Sequence, residues 1–124
     1  MEAALSALCD RLWAELVAAP ADRTSPYRLA ALATVRERVP QVRTIVVRDV
    51  VASEREVVCF SDRRAPKIAD IAHCAEVSLL VRDDTRSEQI RLNGVASVHP
   101  SGPRADAYWR DMHPGQTLNY LTTA

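Results

Sequence analysis

Five short runs rich in branched apolar residues lie between positions 28 and 99, each closed by charge, proline or a polar turn. Runs of this kind fit β-strands, and their close succession fits antiparallel pairing. Helical patterns interrupt them only at the start, the middle and the end. A chain built this way is α+β rather than doubly wound α/β, and it predicts short, mostly sequential strands curling into a small barrel.

The pattern gives each element a place. In residues 2–19, Leu5, Leu8, Cys9, Leu12, Trp13, Leu16 and Val17 recur at three- and four-residue steps, the period of an amphipathic helix that Pro20 closes. Residues 28–35 and 42–49 read as a hairpin with Pro40 in its connection, and residues 56–61 extend the meander after a charged turn at 53–55. Pro66 can occupy a first helical turn, where its missing N–H is harmless, and Ile68, Ile71 and Ala72 give that helix one apolar side. Strands return at 76–82 and 89–99, with Gly94 marking a bulge or a bend. A second amphipathic helix spans 103–112, and from His113 onward the pattern assigns no element.

The 124 residues suit one domain with one core. Sixteen basic side chains balance sixteen acidic ones, so no global field draws the chain to nucleic acid or an anionic membrane, and any bound anion needs a local cluster. No apolar stretch approaches the roughly 20 residues of a spanning helix. The N-terminus has no basic leader ahead of an apolar run, which points to a cytoplasmic protein. Cys9, Cys59 and Cys74 form no C-x-x-C pair and read as small buried hydrophobes. His73 beside Cys74 lacks further ligands at suitable spacing, so no metal is expected. Gly-rich phosphate loops of the Rossmann and P-loop types are absent from the sequence.

Two segments carry chemistry. In Arg43-Thr44-Ile45-Val46-Val47-Arg48, period-two alternation sends Arg43, Ile45 and Val47 to one face and Thr44, Val46 and Arg48 to the other. In Phe60-Ser61-Asp62-Arg63-Arg64-Ala65-Pro66-Lys67, a strand delivers a serine and a basic turn into a helix start, where free N–H groups and the helix dipole favour an anion. Arginine forks, a lysine charge and a serine hydroxyl together suit a phosphate. The same basic turn read as solvated surface needs no ligand. Asp62, Asp83, Asp84 and His73 read as turn or surface residues, so no acid–base pair stands out and catalytic residues stay unassigned.

These two segments, with Glu76-Val77-Ser78-Leu79-Leu80 and with Gln89 five residues before Gly94, resemble in order and spacing the flavin-binding core of pyridoxamine 5′-phosphate oxidase-like proteins. The resemblance implies an antiparallel split β-barrel, Greek-key-like and with short flanking helices, over a single domain at 1–124. It implies FMN as cofactor, its phosphate on Arg43 and Lys67, its ring along Thr44, Ile45 and Val46, and Phe60, Ser61 and Gln89 beside it. Arg64 joins the cofactor set from its place in the basic turn. Arg48 and Tyr108 match positions that face a small-molecule substrate, whereas Met112 and His113 stand where such proteins place a substrate arginine, and Pro66 replaces the first basic residue of their Arg-Lys pair. The resemblance further implies a homodimer with FMN at its interface and a chain that ends before the final strands of the family. Rival readings are a flavin-binding module without turnover, and a dimeric barrel that holds no cofactor or uses haem or a deazaflavin.

Overall fold

A computed structural model describes residues 2–110 and 119–123. In chain order the elements are α1 (Glu2–Ala18), β1 (Leu29–Arg36), β2 (Val39–Val46), β3 (Asp49–Val51), β4 (Glu56–Ser61), α2 (Pro66–His73), β5 (Glu76–Asp83), β6 (Glu88–His99), α3 (Pro103–Arg110) and β7 (Asn119–Thr123). The strands form one antiparallel sheet in the order β2-β1-β5-β6-β7-β4-β3.

The β1–β2 hairpin turns on Glu37 and Arg38, with φ of 49° and 72°. Two consecutive positive φ values suit a tight hairpin, although neither residue favours them, so the eight-pair register of the flanking strands holds the turn in place. Pro40 therefore lies inside β2 and not in the connection. It is tolerated because β2 is an edge strand: Val47 N–H donates to Arg28 C=O at 2.8 Å, so by alternation the odd positions face β1 and the missing N–H of Pro40 faces the open edge.

One residue later the direction reverses, and Arg48 N–H donates to Val58 C=O at 2.8 Å. At this corner the chain leaves β1 and, through β3, joins β4. The expected meander is thus broken, because β4 pairs with β3 and β7 instead of β2. On the far side β6 serves both halves, pairing with β5 through Val95 and with β7 from Ala96 onward. Gly94 stands just before this change of partner in an unbroken register, which makes it a bend and not a bulge. Two half-sheets sharing β6 and meeting again at the 47–48 corner form a split β-barrel.

The barrel interior is filled by Leu32, Ile45, Val47, Val57, Leu79 and Val81, all buried, with Leu16 of α1 and Ile71 of α2 packed against it. A smaller cluster lies outside β4, where Val58 and Phe60 meet Ala105 and Tyr108 of α3. The apolar stripe of α1 is only partly used. Leu16 is buried, but Leu5, Leu8 and Val17 are exposed, and so is Cys9, which corrects its reading as a buried hydrophobe. The first turns of α1 run beyond the barrel surface, so their spacing alone did not place them against a core. No helix among the described residues is long and apolar enough to cross a membrane.

The outer face of β2, β1, β5 and β6 carries no covering element among the described residues. Registered rows run Thr44, Ala31, Leu80, Arg91 and Val42, Ala33, Ser78, Asn93. A shallow depression of about 580 Å³ lies on this face between Ala33, Val35, Pro40, Ser78 and Val95.

Candidate functional site

Asp70 organises the cations. It sits on α2 only 4% exposed, and Arg36 from the end of β1 grips it with both prongs, Nε to Oδ1 at 2.9 Å and Nη2 to Oδ2 at 3.2 Å. Thr34 Oγ1 donates to the same Oδ2 at 3.2 Å. Arg43, reaching from β2, donates through Nη1 to Leu32 C=O at 3.1 Å and brings Nη2 to 3.7 Å from Oδ2. The looser contact leaves the Arg43 charge the less compensated of the two. Burial pulls its guanidinium below its ordinary value, and Arg36 adds to that pull while Asp70 opposes it.

Lys67 stands one turn before Asp70 on the same helix, half-buried, and among the described residues it has no ion-pair partner. Its charge and that of Arg48 both act on Cys59, whose thiol is pushed up to about 11 by burial. The helix begins at Pro66 after an extended Ala65, and no side chain caps it. Ser61, buried at the end of β4, donates its hydroxyl to Asp62 C=O at 3.1 Å. Arg43 thus reaches the helix that carries Lys67, and two guanidinium groups, those of Arg36 and Arg43, gather around one carboxylate one turn along that helix from Lys67.

Beside this cluster lies the open edge of β2. By the alternation that turns Val47 toward β1, Thr44 and Val46 direct their backbone N–H and C=O groups outward along that edge. Ile45 does not join them. Its side chain is 6% exposed in the barrel core and its backbone faces β1, which corrects its assignment to the ring contact.

Phe60 points outward, away from Ser61, and meets Tyr108 with ring centroids 5.4 Å apart. The Arg48 guanidinium lies 5.8 Å from the Phe60 centroid, and Tyr108 donates its hydroxyl to Asp49 at 2.6 Å. Burial, with Asp49 accepting the hydroxyl's hydrogen bond, pushes the Tyr108 phenol up to about 12. Arg48, Phe60 and Tyr108 therefore share one patch beneath α3. Met112 and His113 lie outside the described residues.

Two expected site residues are not brought to this place. Arg64 folds back on Asp62, Nη2 to Oδ2 at 3.0 Å, with its side chain 85% exposed. Gln89 lies on the outer face of β6, three strands from β2, about 14 Å away at the usual strand spacing. Residues that the sequence reading missed are Thr34, Arg36 and Asp70. A carboxylate next to Ile71 on the apolar side of α2 was the available signal, since buried Asp is rare unless paired.

The Arg36 hydrogen bonds hold the Asp70 carboxyl below its usual range. A depressed folded value means stability that is present above the unfolded Asp value near 4 and lost as pH falls through the folded one. Thermal unfolding of wild-type protein should therefore fall more steeply than that of Asp70→Asn as pH drops from 5 to 2, and parallel curves would remove Asp70 from the stabilising network.

A family model for the pyridoxamine 5′-phosphate oxidase FMN-binding domain matches residues 10–100. No curated protein matches the chain. Among solved structures, a pyridoxamine 5′-phosphate oxidase-related, FMN-binding protein of Nostoc punctiforme superposes with a TM-score of 0.76 at 17% identity, over 92% of this chain and 79% of that one. A candidate pyridoxamine 5′-phosphate oxidase of Listeria innocua gives 0.71 at 18% identity, over 94% and 92%. A heme-binding protein of Mycobacterium smegmatis gives 0.60 at 17% identity, over 90% and 50%. At these identities the likeness is one of fold.

Proposed function

The chain belongs to the pyridoxamine 5′-phosphate oxidase FMN-binding domain family, and from that premise we propose that it is a cytoplasmic flavoprotein, a homodimer that holds FMN and exchanges electrons with a small molecule. The observation that carries this reading is the meeting of Arg43 with the helix of Lys67 beside the open edge of β2. Arg36 and Arg43 set against Asp70, with Lys67 one turn away on the same helix, leave a surplus of two positive charges in this region, which complements a phosphate dianion. The outward backbone groups of Thr44 and Val46 offer hydrogen bonds to a planar heterocycle laid along the strand. The residues present thus fit the group. When bound, a flavin supplies the redox chemistry, and the protein supplies position and electrostatics.

In this reading Arg43 and Lys67 grip the phosphate, Ser61 closes the inner side, and Thr44 and Val46 fix the ring height. Phe60, Arg48 and Tyr108 form the neighbouring patch for substrate, with Arg48 supplying the charge that would attract an anionic one. Gln89 cannot reach the β2 edge of its own chain, so it acts from the second subunit, which docks on the uncovered outer face. Three unpaired cysteines, two of them at least partly accessible, suit a reducing compartment.

The test is an absorption spectrum of the purified protein reconstituted with FMN and then desalted. Retained flavin bands support the reading, and bleaching by a candidate donor distinguishes turnover from simple carriage. Protein that retains no flavin after reconstitution would refute it.

A further inference from the structure

Arg36 counts in the charge surplus above but has been given no contact with the phosphate, yet it is built into the cluster. Its Nε and Nη2 are committed to Asp70, which leaves Nη1 without a partner among the described residues, and the side chain is 44% exposed. Its Nη2 and that of Arg43 flank the same carboxylate oxygen, Asp70 Oδ2, at 3.2 Å and 3.7 Å. A single buried carboxylate thus holds two guanidinium groups side by side, one turn along α2 from Lys67. Two like charges so placed repel each other, and one carboxylate offsets only one of them. The first turn of α2 itself supplies one cation, because Pro66 precedes Lys67.

We propose that Arg36 is a third phosphate-binding residue, with Asp70 as the positioning residue that aims Arg36 and Arg43 together at the phosphate of FMN. This rests on the flavin-phosphate reading above. Asp70 does not touch the phosphate; it fixes the Arg36 fork by occupying its inner edge and draws Arg43 Nη2 alongside, so that the two guanidinium groups stand side by side without first having to be ordered. The consequence is selectivity for a phosphorylated flavin over the same ring without phosphate.

The experiment is a fluorescence titration of apoprotein with FMN and with riboflavin, which share the ring and differ in the phosphate. Wild-type protein should prefer FMN. Arg36→Ala should weaken FMN by about tenfold to a hundredfold, the range of a hydrogen bond to a charged group, and leave riboflavin unchanged. Arg36→Lys should recover part of the loss. Should Arg36→Ala fold poorly once Asp70 has lost its closest cation, the double variant Arg36→Ala/Asp70→Asn removes both charges and leaves the surplus at two; it should still lose at least tenfold for FMN alone. A wild-type protein that binds both flavins equally overturns the phosphate site and this assignment with it. A wild-type preference that survives unchanged in the Arg36 variants overturns the role of Arg36 while leaving Arg43 and Lys67 in place. Equal losses for FMN and riboflavin would mark Arg36 as structural only and overturn the proposal.

Discussion

Protein carrying Arg43→Ala together with Lys67→Ala should emerge from FMN reconstitution and desalting colourless, with its FMN affinity lowered by roughly a thousandfold. Each side chain contributes a charge-assisted contact worth about 1.5–3 kcal/mol, and their tips approach from different elements, one from β2 and one from α2, so the losses should largely add. The single variants separate binding from folding. Lys67 is half-buried and has no ion-pair partner among the described residues, so Lys67→Ala should leave the unfolding midpoint almost unmoved while FMN weakens at least tenfold. Arg43 also donates to Leu32 C=O, so its removal should cost stability as well as FMN, and Arg43→Lys should restore part of the affinity. Isothermal titration of the four proteins checks this. Undiminished flavin content in the double variant would remove the phosphate from this place.

The second large effect concerns assembly. A single charge at the centre of the uncovered face, Val42→Glu, should convert a homodimer to monomers and lower flavin retention at the same time. Val42 is 70% exposed and Leu29 and Val95 are each about half exposed, apolar side chains on one flat face with no covering element among the described residues. In an isologous interface the same patch meets itself, so the new carboxylate enters the contact twice. Because the residue is solvated in the single chain, folding of the monomer should be little affected. Light scattering gives the mass and the absorption spectrum gives the flavin content. Monomeric wild-type protein at tens of micromolar would refute the dimer, and a dimer that Val42→Glu leaves intact would move the interface elsewhere.

Much of the fold could be read without coordinates. Residues 56–61, the helix starting at Pro66 and the pair of strands from Glu76 to His99 stand close to where their patterns placed them, because period and punctuation are local properties. Pro40 defeated the pattern because whether proline is tolerated in a strand depends on whether that strand lies at an edge. β7 was not foreseen; its five residues pair between β4 and β6 only once the barrel exists to receive them. β3, three residues long, was not foreseen as a strand of its own: the run before it was carried on to Asp49, since nothing local marks the corner at 47–48.

The site divides the same way. The alternation along Arg43 to Arg48 correctly set Arg43, Ile45 and Val47 on one face, and the basic turn before Lys67 marked the helix that Arg43 reaches. Alternation could not say which face is the barrel interior, so it did not reveal that Ile45 is sealed in the core while Thr44 and Val46 face out. It could not separate Gln89 from the cations by three strands, nor join Arg36 and Asp70, which lie 34 residues apart in the chain. The elements and the kinds of charge available follow from local pattern, because both depend on near neighbours along the chain. Which strands pair, which edge stays open and which cations share one buried carboxylate were decided only by the tertiary structure, because those contacts join residues that nothing local brings together.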